Sequence, residues 1–487
     1  MASFQLDFKS NIEEIFKMVE LHKNSSTREQ ILMTRSYYDK KNATIMNLPD
    51  RTYWSDRIVK DKAGNICYDD NVNEKRINGE VKNPFVSNNR IPYGIYADIV
   101  NQKVNTLLDE APTIVTDYKF DKTFINNLGY VLKNAGIEAS NSVESYIFLD
   151  KDNKFTLFDS ANCIPFYDDY TGQLKAFIRY MTITSSFNGE STMLVELYET
   201  DGLTVFELKN NKQTIRQLKQ AYKYKVRQSA IESETKIENI GTLPIIVFKN
   251  NKQGTTDLSE STRAKIDAID LVQSGFVNNI EDFSDIFWFI KSANADVDSD
   301  YYEDFMANIN KTKRIFAEEA VPQQFQIPHE ARSRLVELFK QELIEENGII
   351  DTQNLTATQL TTVAIKAATM KLRQRVSDFE WQAYECVQGI IDLYKAYNGL
   401  DFDYEIEFTE MLVENDTELL DNMIKVESLM SLDDKLIILK RVGLISDIEA
   451  TKKALEEESS YKLVDEPIDD ISNFGDVDDG QSAQSNG

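Results

Sequence analysis

From Thr358 to Asn398 the chain runs without a proline and with one glycine, Gly389, and no other stretch constrains the fold as tightly. Val363, Ala367, Met370, Val376, Phe379, Ala383, Val387, Ile390 and Tyr394 recur every three or four residues, with one gap at Arg373. That is the period of a single apolar stripe on a helix. At about 1.5 Å per residue the helix is roughly 60 Å long, more than a small domain needs. Two shorter helical patterns precede it. In the first, after Leu258, the stripe is Ile266, Ile269, Val272, Phe276, Ile280, Phe283 and Phe287. In the second, after Pro328, Ala331, Leu335, Leu338, Phe339 and Leu343 share a face, and Gly348 is suited to the left-handed turn that ends a helix. One copy of this arrangement does not bury all its apolar faces. Packing against identical neighbours in a closed ring does.

The connections differ in character from the helices. Between Ser292 and Pro322 the chain is acidic and turn-rich around Arg314-Ile315-Phe316-Ala317, a candidate strand. The loop from Ile350 to Ala357 is polar and carries one charge, at Asp351.

Upstream, residues 8 to 46 read as two helices anchored by Ile12, Ile15, Phe16, Val19 and then Ile31, Leu32 and Tyr38, with Ser26 or Thr27 capping the second. Asn47 to Asn89 is rich in Asn, Asp and Lys and reads as a mobile surface region with a turn at residues 61–65. Helices are expected from Tyr93 to Leu108 and from Phe124 to Ala135. The period then falls to two, predicting strands at 145–149, 155–158, 175–181, 191–198, 203–208 and 221–226, with turns at 150–153 and 168–172. Another strand follows Pro244. After the long helix, residues 403–408 alternate as a strand and helices are expected at 417–429, 431–442 and 446–457. Beyond Ser459 the chain is acidic and reads as disordered. The fold class is α+β.

With 487 residues, 41% of them hydrophobic, the chain has material for two to four domains or one elaborate subunit. No run of apolar residues is long enough to span a bilayer, and Met1 to Asp7 carries no secretory pattern. Cys67, Cys163 and Cys386 are too scattered for a disulfide framework or metal site and suit a reducing compartment. The net charge of −27 argues against gripping nucleic acid through its phosphates. The same charge suits a channel wall along which DNA slides without being trapped, and it equally suits plain solubility.

The familiar catalytic patterns are missing. No phosphate-binding Gly-x-x-x-x-Gly-Lys loop exists, so any nucleotide-driven motor belongs to another protein. His22 and His329 are the only histidines and read as surface or helix-start residues. No nucleophile sits in a recognisable turn, and no enzyme or cofactor is expected. Asp296-Val297-Asp298-Ser299-Asp300 opens like a calcium loop, but Tyr301 and Ala307 stand where glycine and glutamate are needed, so it is a solvated acidic loop.

Three segments carry a family resemblance. Residues 280–291, Ile-Glu-Asp-Phe-Ser-Asp-Ile-Phe-Trp-Phe-Ile-Lys, resemble the end of the first stem helix and the start of the clip in portal proteins of tailed bacteriophages. Leu243 to Asn251 is similar to the strand that precedes that helix, and Asn89 to Val104 to the family's early helix. The order of elements agrees over about residues 10 to 455, in the class typified by siphophages of Gram-positive hosts. The resemblance implies a wing at 1–257, stem helix 1 at 258–289, a clip at 290–327 and stem helix 2 at 328–348. It further implies a tunnel loop at 349–357, a long helix and wing strand at 358–410, a helical crown at 411–458 and an acidic tail at 459–487.

On that frame Lys311, Lys313, Arg314 and Lys340 are candidates to touch passing phosphates, although the first three also balance nearby acids. Asp351, Thr352, Gln353, Asn354 and Thr356 of the tunnel loop offer contacts to the DNA backbone without reading sequence. Asp296, Asp298, Asp300, Glu303 and Asp304 of the clip are candidates to dock a partner's basic patch. The implied function is a ring of about twelve copies at one capsid vertex through which the genome is packaged and ejected. Its implied partners are double-stranded DNA, the terminase large subunit, a head-tail adaptor, and the major capsid and scaffolding proteins, with no membrane. Its implied place is the virion, after assembly in the host cytoplasm. An acidic multimeric scaffold or adaptor protein without a DNA channel is the alternative. A hydrolase using paired carboxylates is a third reading.

Overall fold

The computed structural model describes residues 12–59, 66–68, 73, 75–82, 86–184, 189–225, 237–283, 287–290, 320–323, 329–350, 362–409, 424–425, 430–441, 444–445, 448 and 451–455. The chain divides into two units, residues 1–412 and 413–487. The turn expected at 61–65, the candidate strand at 314–317, the acidic loop at 296–307 and the acidic tail lie outside the described residues.

The first unit opens with α1 (Ile12–Lys23) and α2 (Ser26–Tyr38), followed by the short α3 (Ala43–Met46). The cap of α2 is Ser25, one residue before the expected pair, and its hydroxyl accepts a bond from Arg28 N at 3.2 Å. The polar stretch after Asn47 is not bare surface. It contains β1 (Thr52–Ile58) and β2 (Arg76–Lys82), paired antiparallel over seven residues. Propensity hides them, because β2 reads Arg-Ile-Asn-Gly-Glu-Val-Lys.

Then come α4 (Ile95–Leu108), β3 (Thr113–Val115) and α5 (Lys122–Ser142), the last running about two turns past its expected end. Two antiparallel sheets follow. β4 (Glu144–Leu149) and β5 (Phe155–Phe158) pair across the expected turn, where Asp150 Oδ1 accepts from the amides of Asp152 and Lys154 and Asn153 takes φ 59. β6 (Cys163–Tyr167), β7 (Leu174–Thr184), β8 (Ser191–Glu199), β9 (Gly202–Lys209) and β10 (Lys212–Gln220) form a meander in chain order. Ile15, Phe16 and Val19 of α1 pack against Ile178, Val195 and Phe206 of this sheet. β11 (Lys223–Lys225) pairs with β12 (Ile237–Asn239), and β13 (Ile245–Lys249) joins the edge of β4.

Three helices complete the unit: α6 (Glu260–Phe283), α7 (His329–Asn347) and α8 (Thr362–Asn398). At about 1.5 Å per residue α8 is roughly 55 Å long. Its stripe is buried at Val376, Phe379, Ala383, Val387 and Ile390, and Leu372 fills the gap expected at Arg373. It lies on α4, β4 and β13 in the main core, where Gly389 stands opposite Ile246 and Gly136 of α5 opposite Phe379. A side chain at Gly136 would come within 2.9 Å of the Phe379 ring, so this glycine sets how closely α5 and α8 approach. β16 (Glu405–Glu407) closes back on β3.

α6 and α7 run antiparallel. Lys265 near the start of α6 pairs with Glu346 near the end of α7 at 2.6 Å, while Phe276 meets His329 at 5.3 Å between ring centres. The expected α6 stripe holds only at its beginning: Ile266 and Ile269 are buried, whereas Ile280 is 43% exposed. The helix stops at Phe283, and the aromatic run continues as β14 (Phe287–Ile290), paired with β15 (Ala320–Gln323). Further along α6 the buried row is polar. Asp270, Ser274 and Asn278, four residues apart, accept bonds from the amides of Tyr93, Ile91 and Asn89 at 2.6, 2.9 and 2.7 Å. A stripe searched for by hydrophobicity cannot reveal a face built to hold an extended backbone.

In the second unit α9 (Leu432–Arg441) is capped by Ser431, whose hydroxyl accepts from Asp434 N at 3.1 Å. Residues 451–455 are helical, and Lys452 pairs with Asp433 at 2.8 Å.

Candidate functional site

The start of α6 and the end of α7 meet α4 and α8 at one place, and charged side chains are concentrated there. Lys103, on the inward face of α4, is 3% exposed. Its ammonium lies 2.6 Å from Asp257 Oδ2 and 2.6 Å from Asn250 Oδ1, with the Phe379 ring 4.5 Å away. Asn250 and Asp257 bracket the short segment that joins β13 to α6. Asn250 Nδ2 donates to Thr255 O and to Asp257 Oδ1, so the segment is folded onto itself before the helix begins. Ser259 then caps α6 by accepting from Thr262 N at 3.0 Å.

The returning helix of the hairpin, α7, is held from α8. Arg375 reaches Asp257 at 3.4 Å and also donates to the carbonyl of Asn347, at the end of α7. Lys371 donates to Glu345 O at 3.1 Å. Both cations sit where the unpaired carbonyls of a helix C-terminus attract positive charge. Gly348 ends the helix at φ 61, as expected, and a side chain there would approach Lys371 within 2.9 Å. One carboxylate, Asp257, therefore ties the start of α6 to α4 and to α8, and Arg375 ties it to the end of α7.

Burial pushes the Lys103 ammonium below the ordinary lysine range, against the pull of Asp257. Burial alone would raise the Asp257 carboxyl, but the charges of Lys103 and Arg375 outweigh it and hold it below the usual range. A single anion between two cations stays ionised. These residues escape a search for catalytic motifs. The signal for Lys103 is a lysine at a core position of α4, flanked by the buried Val100, Val104 and Leu107.

A second polar cluster joins the N-terminal helices to the middle of α6. Asn42 Nδ2 donates to Asp267 Oδ1 at 2.9 Å and to Asp270 Oδ2 at 2.6 Å, and the Tyr37 hydroxyl donates to Asp267 at 2.6 Å. This is a convergent carboxylate pair that sequence reading did not place. Both members are occupied in hydrogen bonds that join the N-terminal helices and the Tyr93 backbone to α6, so the pair is a joint. Burial, with the charge of Asp267 adding to it, raises the Asp270 carboxyl to about 6. The folded chain therefore holds this proton to higher pH than the unfolded chain, and the stability it contributes is full below about pH 4 and is lost as pH rises to about 6. Replacing Asp270 by Asn should remove that slope. Urea titrations at pH 4 and pH 7 should bring the variant closer to wild type at pH 7 by roughly 2 kcal/mol, and an unchanged difference at the two pH values would contradict it.

Of the expected contact residues, Lys340 lies among the described ones. It is half-buried and, with Val272, Gln273, Phe276, Arg332 and Val336, lines a groove of about 380 Å³ between α6 and α7. Lys311, Lys313, Arg314, Asp351, Thr352, Gln353, Asn354 and Thr356 lie outside the described residues, as do Asp296, Asp298, Asp300, Glu303 and Asp304. His329 begins α7 as expected, whereas His22 is half-buried and hydrogen-bonded to the Tyr180 hydroxyl at 3.0 Å. All three cysteines are free, and among the described residues no group of three potential metal ligands converges. No helix among them is long and apolar enough to cross a membrane.

Residues 19–462 match the family described as "Phage portal protein, SPP1 Gp6-like". A portal protein of Clostridium phage phiCD119 is 23% identical over 479 residues, covering 93% of this chain and 97% of that one. A portal protein of Bacillus phage SPP1 is 23% identical over 401 residues, covering 76% of each.

Proposed function

Because this chain belongs to the SPP1 Gp6-like family of phage portal proteins, we propose that its α6–α7 hairpin is the wall of a ring-shaped channel for DNA. The family is a structural one, and the function is that of a portal: passage of the genome through one vertex of the capsid. In the finer reading, residues 1–257 with 358–410 form the wing, 258–289 and 328–348 the stem, 290–327 the clip, 349–357 the tunnel loop and 411–458 the crown. About twelve copies close the ring. Terminase binds it during packaging and a head-tail adaptor afterwards, with capsid and scaffolding proteins around it and double-stranded DNA within.

One observation supports this reading above others. The hairpin is locked at its root, and on the faces that α2, α3 and residues 89–93 do not cover it keeps large apolar side chains in water: Leu271 and Ile280 of α6 and Leu335 and Leu338 of α7 are 56%, 43%, 39% and 49% exposed. On α8, Met370 and Trp381 are 71% and 68% exposed. An isolated subunit gains nothing by displaying these side chains, while a neighbouring copy removes them from water.

Electron microscopy of the purified, assembled protein tests the reading. Rings with an open centre, α6 and α7 lining it, are expected. Compact particles without a hole would support the scaffold or adaptor reading instead.

A further inference from the structure

α4 reaches both ends of the α6–α7 hairpin with consecutive residues. Lys103 turns inward to Asp257 and Asn250, before α6. Gln102 grips the chain after α7: its Oε1 accepts from Ile350 N at 2.8 Å, and its Nε2 donates to Ile350 O at 3.2 Å. A side-chain amide that takes both main-chain groups of one residue stands in for a strand partner, fixing that residue's place and the planes of the peptides on either side. The chain arrives there by one path. Ile349 N bonds back to Ile344 O at 3.0 Å, and Gly348 makes the left-handed turn beneath Lys371. Ile349 itself is buried in the main core.

The residue after Ile350 is Asp351, where the stretch assigned above to DNA contact begins. We propose that Gln102 is a positioning residue for that stretch, holding its first fixed point to α4. Force applied to the loop by moving DNA then passes into α4, and through the neighbouring Lys103 into the root of α6, instead of swinging the chain about Ile350. The proposal rests on the channel reading. Glutamine is suited to the task because it ends in one donor and one acceptor on a two-carbon arm. Glutamate keeps the acceptor and loses the donor, and methionine keeps the volume and loses both.

Hydrogen exchange on assembled rings, together with the yield of DNA-filled heads, tests it. In Gln102→Met, exchange of the Ile350 amide should rise about tenfold for the loss of the clamp, while the amides of residues 340–346 stay at wild-type rates. Gln102→Glu should fall between the two. Ring yield should be unchanged and filled heads should drop severalfold in the order wild type, Glu, Met. Unchanged exchange at Ile350 in the Met variant would overturn the clamp, and faster exchange with normal filling would overturn its positioning role. If Gln102→Met fails to assemble, the Glu variant decides on the same two measurements. Wild-type rings without an open centre would instead refute the channel reading, a failure that the exchange data do not share.

Discussion

Replacing Asp257 by alanine is expected to lower the unfolding free energy by about 3–5 kcal/mol, the usual cost of leaving buried charge without its partner. The reason lies in what remains. Lys103, 3% exposed, keeps the Asn250 carbonyl and the face of Phe379 but loses its counter-ion, and Arg375 loses its grip on the segment before α6. Lys103→Met should cost much less, because Asp257 retains Arg375 and the Asn250 amide. The double variant Lys103→Met with Asp257→Leu should recover most of the alanine loss, since no unpaired ion is left between α4 and α6. Denaturant titrations at one fixed protein concentration give the comparison, because assembly itself stabilises the chain. An Asp257→Ala loss below about 1 kcal/mol would mean that the pair behaves as a solvated surface contact.

How much of this was readable beforehand depends on whether a feature is written as periodic hydrophobicity. The long helix was, because Val376, Phe379, Ala383, Val387 and Ile390 meet one continuous apolar surface. The β7–β8–β9 meander was too, since its apolar residues are continuous and both faces of the sheet are covered: Ile178, Tyr180, Met193 and Val195 pack against α1, and Phe177 and Tyr198 pack with Tyr146 and Phe158. β6 was missed because Pro165 and the polar 3-10 turn before it mask a short edge strand. β10 was missed because eight of its nine residues are exposed, so no alternation is imposed on them. The far half of α6 was misjudged for the opposite reason. Its inward row, Asp270, Ser274 and Asn278, faces a backbone that needs acceptors.

The root of the hairpin was hardly legible at all. Its parts lie in four places along the chain: Gln102 with Lys103, Asn250 with Asp257, Asn347 to Ile350, and Arg375. No local spacing relates them, because each is set by the close approach of α4, α6, α7 and α8. Gly348 was legible as a helix end, and Lys103 left a trace as a charge on a stripe that otherwise reads as core. Family resemblance could locate the helices, and only their packing could locate the ions between them.

The exposed stripe of α7 should behave in the opposite way to Asp257, harmless to the subunit and decisive for the assembly. Leu335 and Leu338 are 39% and 49% exposed, so changing both to glutamate removes little of the subunit's own packing. Substitutions at such positions usually stay within about 0.5 kcal/mol of wild type. In a closed ring, burying the part of each leucine still in water contributes about 0.6–1.5 kcal/mol, and each introduced carboxylate adds a desolvation penalty. The loss recurs at every interface, and a ring must satisfy all of them to close. Sedimentation of Leu335→Glu with Leu338→Glu should therefore give monomers at concentrations where the wild type is fully assembled, with an unchanged unfolding midpoint for the monomer. The conservative pair Leu335→Ala with Leu338→Ala should weaken assembly without abolishing it. Should the glutamate variant still form wild-type rings, the hairpin's leucines would have no part in closure. The contact between copies would then have to be sought on α8, where Met370 and Trp381 are the large apolar side chains left in water.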